Sequence, residues 1–183
     1  MKDIINVLLI LVPTIIPILA LLMSLTYWNK KYLIFTLFYI ISVGLNGVEK
    51  FISSSLRSIS YMKNIGERPD QCGYKLDDVC TGCGAIPSLT YSESWGLPSG
   101  HSQSMAFATT YIIIYLYNTN NRNILLFSSL MILLSLLVMD QRLHSKCHSL
   151  LQVIIGNIFG IIFGFISYRL SNMISKENFP IKN

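Results

Sequence analysis

The apolar positions of the chain are gathered into uncharged runs: Ile4 to Trp28, Tyr32 to Val48, Ser102 to Tyr117, Asn123 to Met139 and Ser149 to Tyr168. A helix that crosses the hydrocarbon core of a bilayer needs about 20 predominantly apolar residues, somewhat fewer where the bilayer thins. Each run is read as a span, the second and third being short. Pro13 and Pro17 fall inside the first run, where neighbouring helices can take up the carbonyls that proline frees. That run is too long for a signal-peptide core and no small-x-small cleavage site follows it. From Glu49 to Met62 the residues Phe51, Ile52, Leu56, Ile59 and Met62 keep helical spacing while Lys50, Ser53, Ser54, Arg57 and Ser60 take the other side. This predicts an amphipathic extension of the second helix. Residues 63 to 98 carry Gly, Pro, Cys and charges without a sustained period, and predict one long polar loop of the kind that often carries function. The elements together predict an all-α, polytopic transmembrane helical bundle of about five to six spans, with residues 1–183 forming a single membrane-integral domain.

Composition supports this reading. Hydrophobic residues make up 52% and charged residues 13%, the latter about half the share usual for a soluble domain. That excludes an ordinary soluble globule and a disordered chain, and no nucleic-acid partner is expected. Sorting the charges by side is more informative. The side holding residues 49 to 101 and 140 to 148 carries as many acids as cations, whereas the other holds Lys30, Lys31, Arg122, Arg169, Lys176 and Lys182 against Glu177 alone. The net charge of +5 therefore sits on the second side, which the positive-inside rule makes cytoplasmic. Cys72, Cys80, Cys83 and Cys147 all fall on the opposite, exoplasmic side. Disulfides, free thiols and a zinc site seeded by Cys80 and Cys83 are the three readings of that set, with pairing favoured by the compartment.

The chemistry-bearing residues collect on the exoplasmic side too. His101, His144 and His148 are the three histidines, each just outside an apolar run. A single histidine there is more often an interfacial side chain than a catalytic one; three separated segments change that balance. Pro98-Ser99-Gly100-His101 immediately precedes the third run, so Ser99, Gly100 and His101 open a helix whose free N–H groups suit an anion. Ser99 can cap and Gly100 lets a ligand approach the backbone. Arg142 and His148 precede the fifth run and Arg68-Pro69 lies in the long loop, on the same side by parity. Two guanidinium forks and a helix N-terminus suit the oxygens of a phosphate.

These segments resemble the type 2 phosphatidic acid phosphatases, the PAP2 superfamily, whose pattern is KxxxxxxRP, PSGH and SRxxxxxHxxxD. Arg68-Pro69, the complete Pro98-Ser99-Gly100-His101, and Arg142 with His148 match, over roughly residues 46 to 160. Tyr61 stands where the motif lysine is expected, with Lys63 or Arg57 as substitutes, Lys63 the nearer; Gln141 replaces the serine and Gln152 the closing aspartate. The HxxxQ ending and the string PSGHSQ look most like the dolichyl-diphosphatase branch, which acts on polyprenyl diphosphates in the lumen.

The resemblance implies a metal-independent lipid phosphatase without a cofactor, acting on polyprenyl diphosphate or phosphatidate through a phosphohistidine. His148 would attack phosphorus, His101 would protonate the leaving oxygen and Gln152 would orient His148. Lys63, Arg68, Arg142 and the N–H groups of Ser99 and Gly100 would hold the phosphate oxygens. His144 is expected to be a bystander. Two rivals compete: an inactive relative that binds a phospholipid headgroup or acts as a scaffold, and a metal hydrolase using His101, His144, His148 and Asp140. The second lacks any HExxH or paired-carboxylate spacing.

Overall fold

In a computed structural model the described residues are 2–27, 30–69, 75–76, 79–80, 83 and 95–175. Cys72 and the terminal Lys176, Glu177 and Lys182 lie outside them, as does the side chain of Cys80. Five long helices form the bundle: α1 (Lys2–Tyr27), α2 (Lys30–Ser55), α4 (Gly100–Asn118), α5 (Ile124–His144) and α6 (Leu150–Ser175). A short α3 (Ser60–Gly66) follows α2, and the two-residue strands β1 (Lys75–Leu76) and β2 (Val79–Cys80) pair antiparallel. The chain thus folds as the all-α bundle expected of its apolar runs.

Four of the helices, α1, α2, α5 and α6, are long and apolar enough to cross a membrane, which fits an integral membrane protein. Their outward faces are apolar: Leu125 is 81% and Leu8 54% exposed. The third run differs from its sequence reading. Its helix, α4, does not reach that apolarity, because it is the centre of the bundle and touches α1, α2, α5 and α6. A helix surrounded by protein can bury polar side chains, and Ser102, Gln103, Ser104 and Thr109 are all buried.

The α4–α6 contact is close because α6 presents glycine at every fourth position. A Cβ added at Gly156, Gly160 or Gly164 would lie 2.4, 2.2 and 2.7 Å from the carbonyl oxygens of Ser99, Gln103 and Phe107. Small residues spaced in this way let helix backbones approach. Gly160→Ala is expected to push α4 from α6 and destabilise the protein by about 1–3 kcal/mol, read as a lowered Tm of the detergent-solubilised protein. Phe35, Tyr39, Phe107, Tyr111 and Tyr168 form the aromatic core, with Phe35 and Tyr111 edge to face at 5.0 Å. Pro17 has no N–H to give the Pro13 carbonyl, and the Tyr39 hydroxyl donates to it instead.

The amphipathic extension is broken rather than continuous. α2 stops at Ser55, and α3 starts at Ser60. The hydroxyls of Ser54 and Ser55 donate to the carbonyls of Phe51 and Ile52, three residues back, and that of Ser53 lies 2.8 Å from the Leu97 carbonyl and 3.1 Å from that of Lys50. Leu56 N–H and Arg57 N–H then bond Ser53 and Ser54 in tight turns. Serines that compete for the backbone in this way favour a helix end over its continuation.

Candidate active site

The residues at one end of the bundle surround a cavity of about 900 Å³, lined there by Lys50, Arg68, Gly100, His101, Ser104 and His148. His148 is 3% exposed and lies in the short connection from α5 to α6. The connection is fixed on both sides. Cys147 is joined to Cys83 by a disulfide, which settles the cysteine reading for that pair, and the Cys147 carbonyl accepts from Arg68 Nη1 at 2.6 Å. Arg68 Nη1 also lies 3.2 Å from His148 Nε2.

Gln152, one helical turn into α6 from His148, is fully buried. Its Nε2 faces the carbonyl oxygens of Ile65, Gly66 and Glu67 at 2.9, 3.2 and 2.8 Å. Those carbonyls accept only, so the amide nitrogen must be the end that faces them. Oε1 therefore points the other way, accepting from Ser149 N–H at 3.2 Å and lying 3.2 Å from His148 Nδ1. An acceptor at Nδ1 keeps the proton there and leaves the Nε2 lone pair facing Arg68 and the cavity. A Cβ on Gly96 would land 2.5 Å from that same Oε1, so the chain passing Gln152 requires glycine. Burial first, then the positive charge of Arg68, with Lys50, His101 and Arg142 behind it, hold the His148 imidazole well below its ordinary pKa. It is neutral at neutral pH.

Arg142, in the last turn of α5, is 0% exposed. Its Nε donates to Gln141 Oε1 at 2.6 Å, so the residue at the motif serine position is a buried anchor for the guanidinium. Nη1 and Nη2 find no hydrogen-bond partner among the described residues. The Arg142 charge acts on both His101 and His148.

Other expected residues are placed differently. Ser99 is the N-cap of α4, but its side chain makes no capping bond; its Oγ accepts from Ser102 Oγ at 3.0 Å. Its N–H is taken by the Gln152 carbonyl at 3.1 Å, which removes that amide as an anion donor. Gly100 does line the cavity. Lys63 lies on the exposed face of α3 and does not line the cavity. Arg57 pairs with Glu67 at 2.5 Å in a half-exposed salt bridge. Lys50 is the lysine at the cavity. Its sequence signal is that it continues the α2 stripe of Val43 and Gly47, a cation at helical spacing in an apolar face. His144 is an exposed side chain paired with Asp140 at 3.1 Å. No group of three or more His, Cys, Asp or Glu among the described residues is arranged to hold a metal ion.

A family model described as the PAP2 superfamily matches residues 31–176. The chain belongs to the PAP2 superfamily. The match runs from the start of α2 to the end of α6 and takes in every cavity residue named above. PAP2 proteins are generally phosphatases, which agrees with a cavity lined by two histidines, Arg68 and Lys50, with the buried Arg142 charge acting on both histidines. No curated protein and no solved structure matches this PAP2 chain.

Proposed function

We propose that this PAP2 protein is a metal-independent lipid phosphatase that works through a phosphohistidine. The observation that carries the reading is Arg142: a fully buried guanidinium whose two terminal nitrogens lack partners among the described residues. An uncompensated buried charge costs several kcal/mol, and an anion with paired oxygens offsets that cost. A phosphate between Arg142, Arg68 and Lys50 satisfies the fork and lies against His148 Nε2. Lys50 replaces Lys63 as the third cation in this reading.

The Nε2 lone pair of neutral His148 attacks phosphorus and the bond to the leaving oxygen breaks; His101, held below its ordinary pKa by burial and by Arg142, takes up a proton with the incoming phosphate dianion and gives it to that oxygen. Water then attacks the phosphoryl group, His101 accepts the water proton, and the phosphorus–nitrogen bond breaks to release phosphate and regenerate His148. Arg68, Arg142, Lys50 and the first-turn N–H of Gly100 stabilise the charge on the equatorial oxygens. Gln152 orients His148 without touching the substrate. Gln152→Glu places a carboxylate oxygen against three carbonyls; it is expected to lower stability by about 1–3 kcal/mol and kcat at least about tenfold. An unchanged kcat in the folded variant would remove the orienting role.

The substrate is a lipid phosphate of the membrane, and the HxxxQ ending and PSGHSQ string favour a polyprenyl diphosphate, as in the dolichyl-diphosphatase branch, over phosphatidate. The cation count supports an exoplasmic site. Phosphate release from polyprenyl diphosphate and from phosphatidate, with and without EDTA, tests the function. Release that survives EDTA supports it, release abolished by EDTA points to a metal hydrolase, and none from either lipid favours a headgroup-binding or scaffold protein.

A further inference from the structure

At about 900 Å³ the cavity is near the upper end of the range for whole ligands and is far larger than a phosphate requires. The excess volume lies between α1 and α2. Beyond the histidines the lining changes from Lys50 and Arg68 to Pro13, Pro17, Ile40, Val43 and Gly47. On α2 the residues Ile40, Val43, Gly47, Lys50 and Ser54 are spaced by three and four, so they form one stripe along a single helix face. From Lys50 to Ile40 the stripe runs about 15 Å at the helical rise. It is cationic at the histidine end and apolar at the other. The apolar end opens to the surroundings: Ile40 is 59% and Val43 50% exposed on a helix able to cross a membrane. Gly47 stands between the two ends, and a Cβ built on it meets no atom within 4 Å.

A cationic head site continuous with an apolar groove is complementary to an amphiphile with an anionic head and a hydrocarbon chain. We propose that the α1–α2 groove holds the hydrocarbon chain of the lipid whose phosphate lies in the histidine site, and that Gly47 sets the room for that chain. The proposal rests on the lipid-phosphate reading of the site. The chain enters sideways from the bilayer, between Pro13–Pro17 of α1 and Ile40–Val43 of α2, so the head need not leave headgroup depth. A side chain at position 47 obstructs the chain and leaves the histidines and arginines untouched.

The test compares Gly47→Leu with Gly44→Leu in the full-length protein. Gly44 is equally open, with no atom within 4 Å of an added Cβ, but does not line the cavity, so it controls for the change in helix propensity. The ratio of kcat/KM for a long-chain polyprenyl diphosphate to that for water-soluble phenyl phosphate is expected to fall at least about tenfold in Gly47→Leu and to stay unchanged in Gly44→Leu. An unchanged ratio in Gly47→Leu, or an equal fall in both variants, overturns the proposal. A readout independent of turnover accompanies it: a non-hydrolysable alkylphosphonate with a photoreactive group midway along its chain. Crosslinks to the Pro13–Pro17 or Ile40–Val43 segments, reduced by Gly47→Leu, support the groove even if turnover is absent and the phosphatase reading fails. Crosslinks confined to other helices overturn the groove while leaving the phosphatase reading intact.

Discussion

Replacing His148 with alanine is expected to reduce phosphate release by at least about 10⁴-fold while leaving the protein folded. The size of the effect follows from what the surrounding residues do. Gln152 holds Nδ1, the Cys83–Cys147 disulfide and the Arg68 bond to the Cys147 carbonyl fix the backbone, and burial keeps the ring neutral. All of this converges on one lone pair, at Nε2, which faces the cavity and lies 3.2 Å from Arg68 Nη1. Alanine removes that lone pair; His144 cannot supply another, being exposed on α5 and paired with Asp140, and His101 is assigned the proton transfers. Turnover measured with detergent-solubilised protein, beside a Tm that confirms folding, checks it. Retained turnover in the folded variant would remove His148 as nucleophile.

Arg142→Met is expected to separate stability from activity. Arg142 is a fully buried charge whose fork has no partner among the described residues, so a side chain of similar volume without charge should leave Tm unchanged or raise it. Turnover should fall by about 10²–10⁴-fold, because the same fork is assigned to the oxygens on which charge builds in the transition state. Inorganic phosphate adds a third measurement. It should raise the Tm of the wild type, which binds it in the folded state alone, and raise that of Arg142→Met less. A variant that is strongly destabilised without ligand yet keeps its turnover would contradict the assignment, since it would make Arg142 a structural residue.

Much of this architecture is legible in the sequence because a bilayer imposes a single strong rule. Runs such as Ile4 to Trp28 and Ser149 to Tyr168 are uncharged over a spanning length, and α1 runs to Tyr27 and α6 starts at Leu150. What hydropathy does not reveal is which helix the others surround. Ser102, Gln103, Ser104 and Thr109 look like a weak span, and they are instead the buried polar face of the central helix. Periodicity also missed the stop at Ser55, where three serines turn their hydroxyls onto the backbone, a local effect that a hydrophobic pattern does not register.

At the site, the segments that carry His101, His148, Arg68 and Arg142 could be found by motif. The cation spacing could not, because the break after α2 turns Lys63 outward on α3 and leaves Lys50, on the unbroken part of α2, facing the cavity. The Ser99 amide was a natural anion donor by position alone. It is taken by the Gln152 carbonyl, a contact made only once the glycine stripe of α6 has docked on α4. By sequence Gln152 reads as a weakened aspartate. In three dimensions an aspartate could not do what it does, since its amide nitrogen ties the end of α3 to α6 through three carbonyls while its oxygen serves His148.

The central claim is that His148 carries the phosphoryl group during turnover. Mixing the protein with polyprenyl diphosphate in EDTA, quenching under alkaline denaturing conditions that preserve phosphohistidine, and mapping the modified peptide by mass spectrometry tests it directly. The account predicts a phosphoryl group on His148, absent from His148→Ala and longer lived in His101→Ala, where the attacking water has lost its base. Steady turnover in EDTA with the phosphoryl group on another residue, or on none, would contradict it.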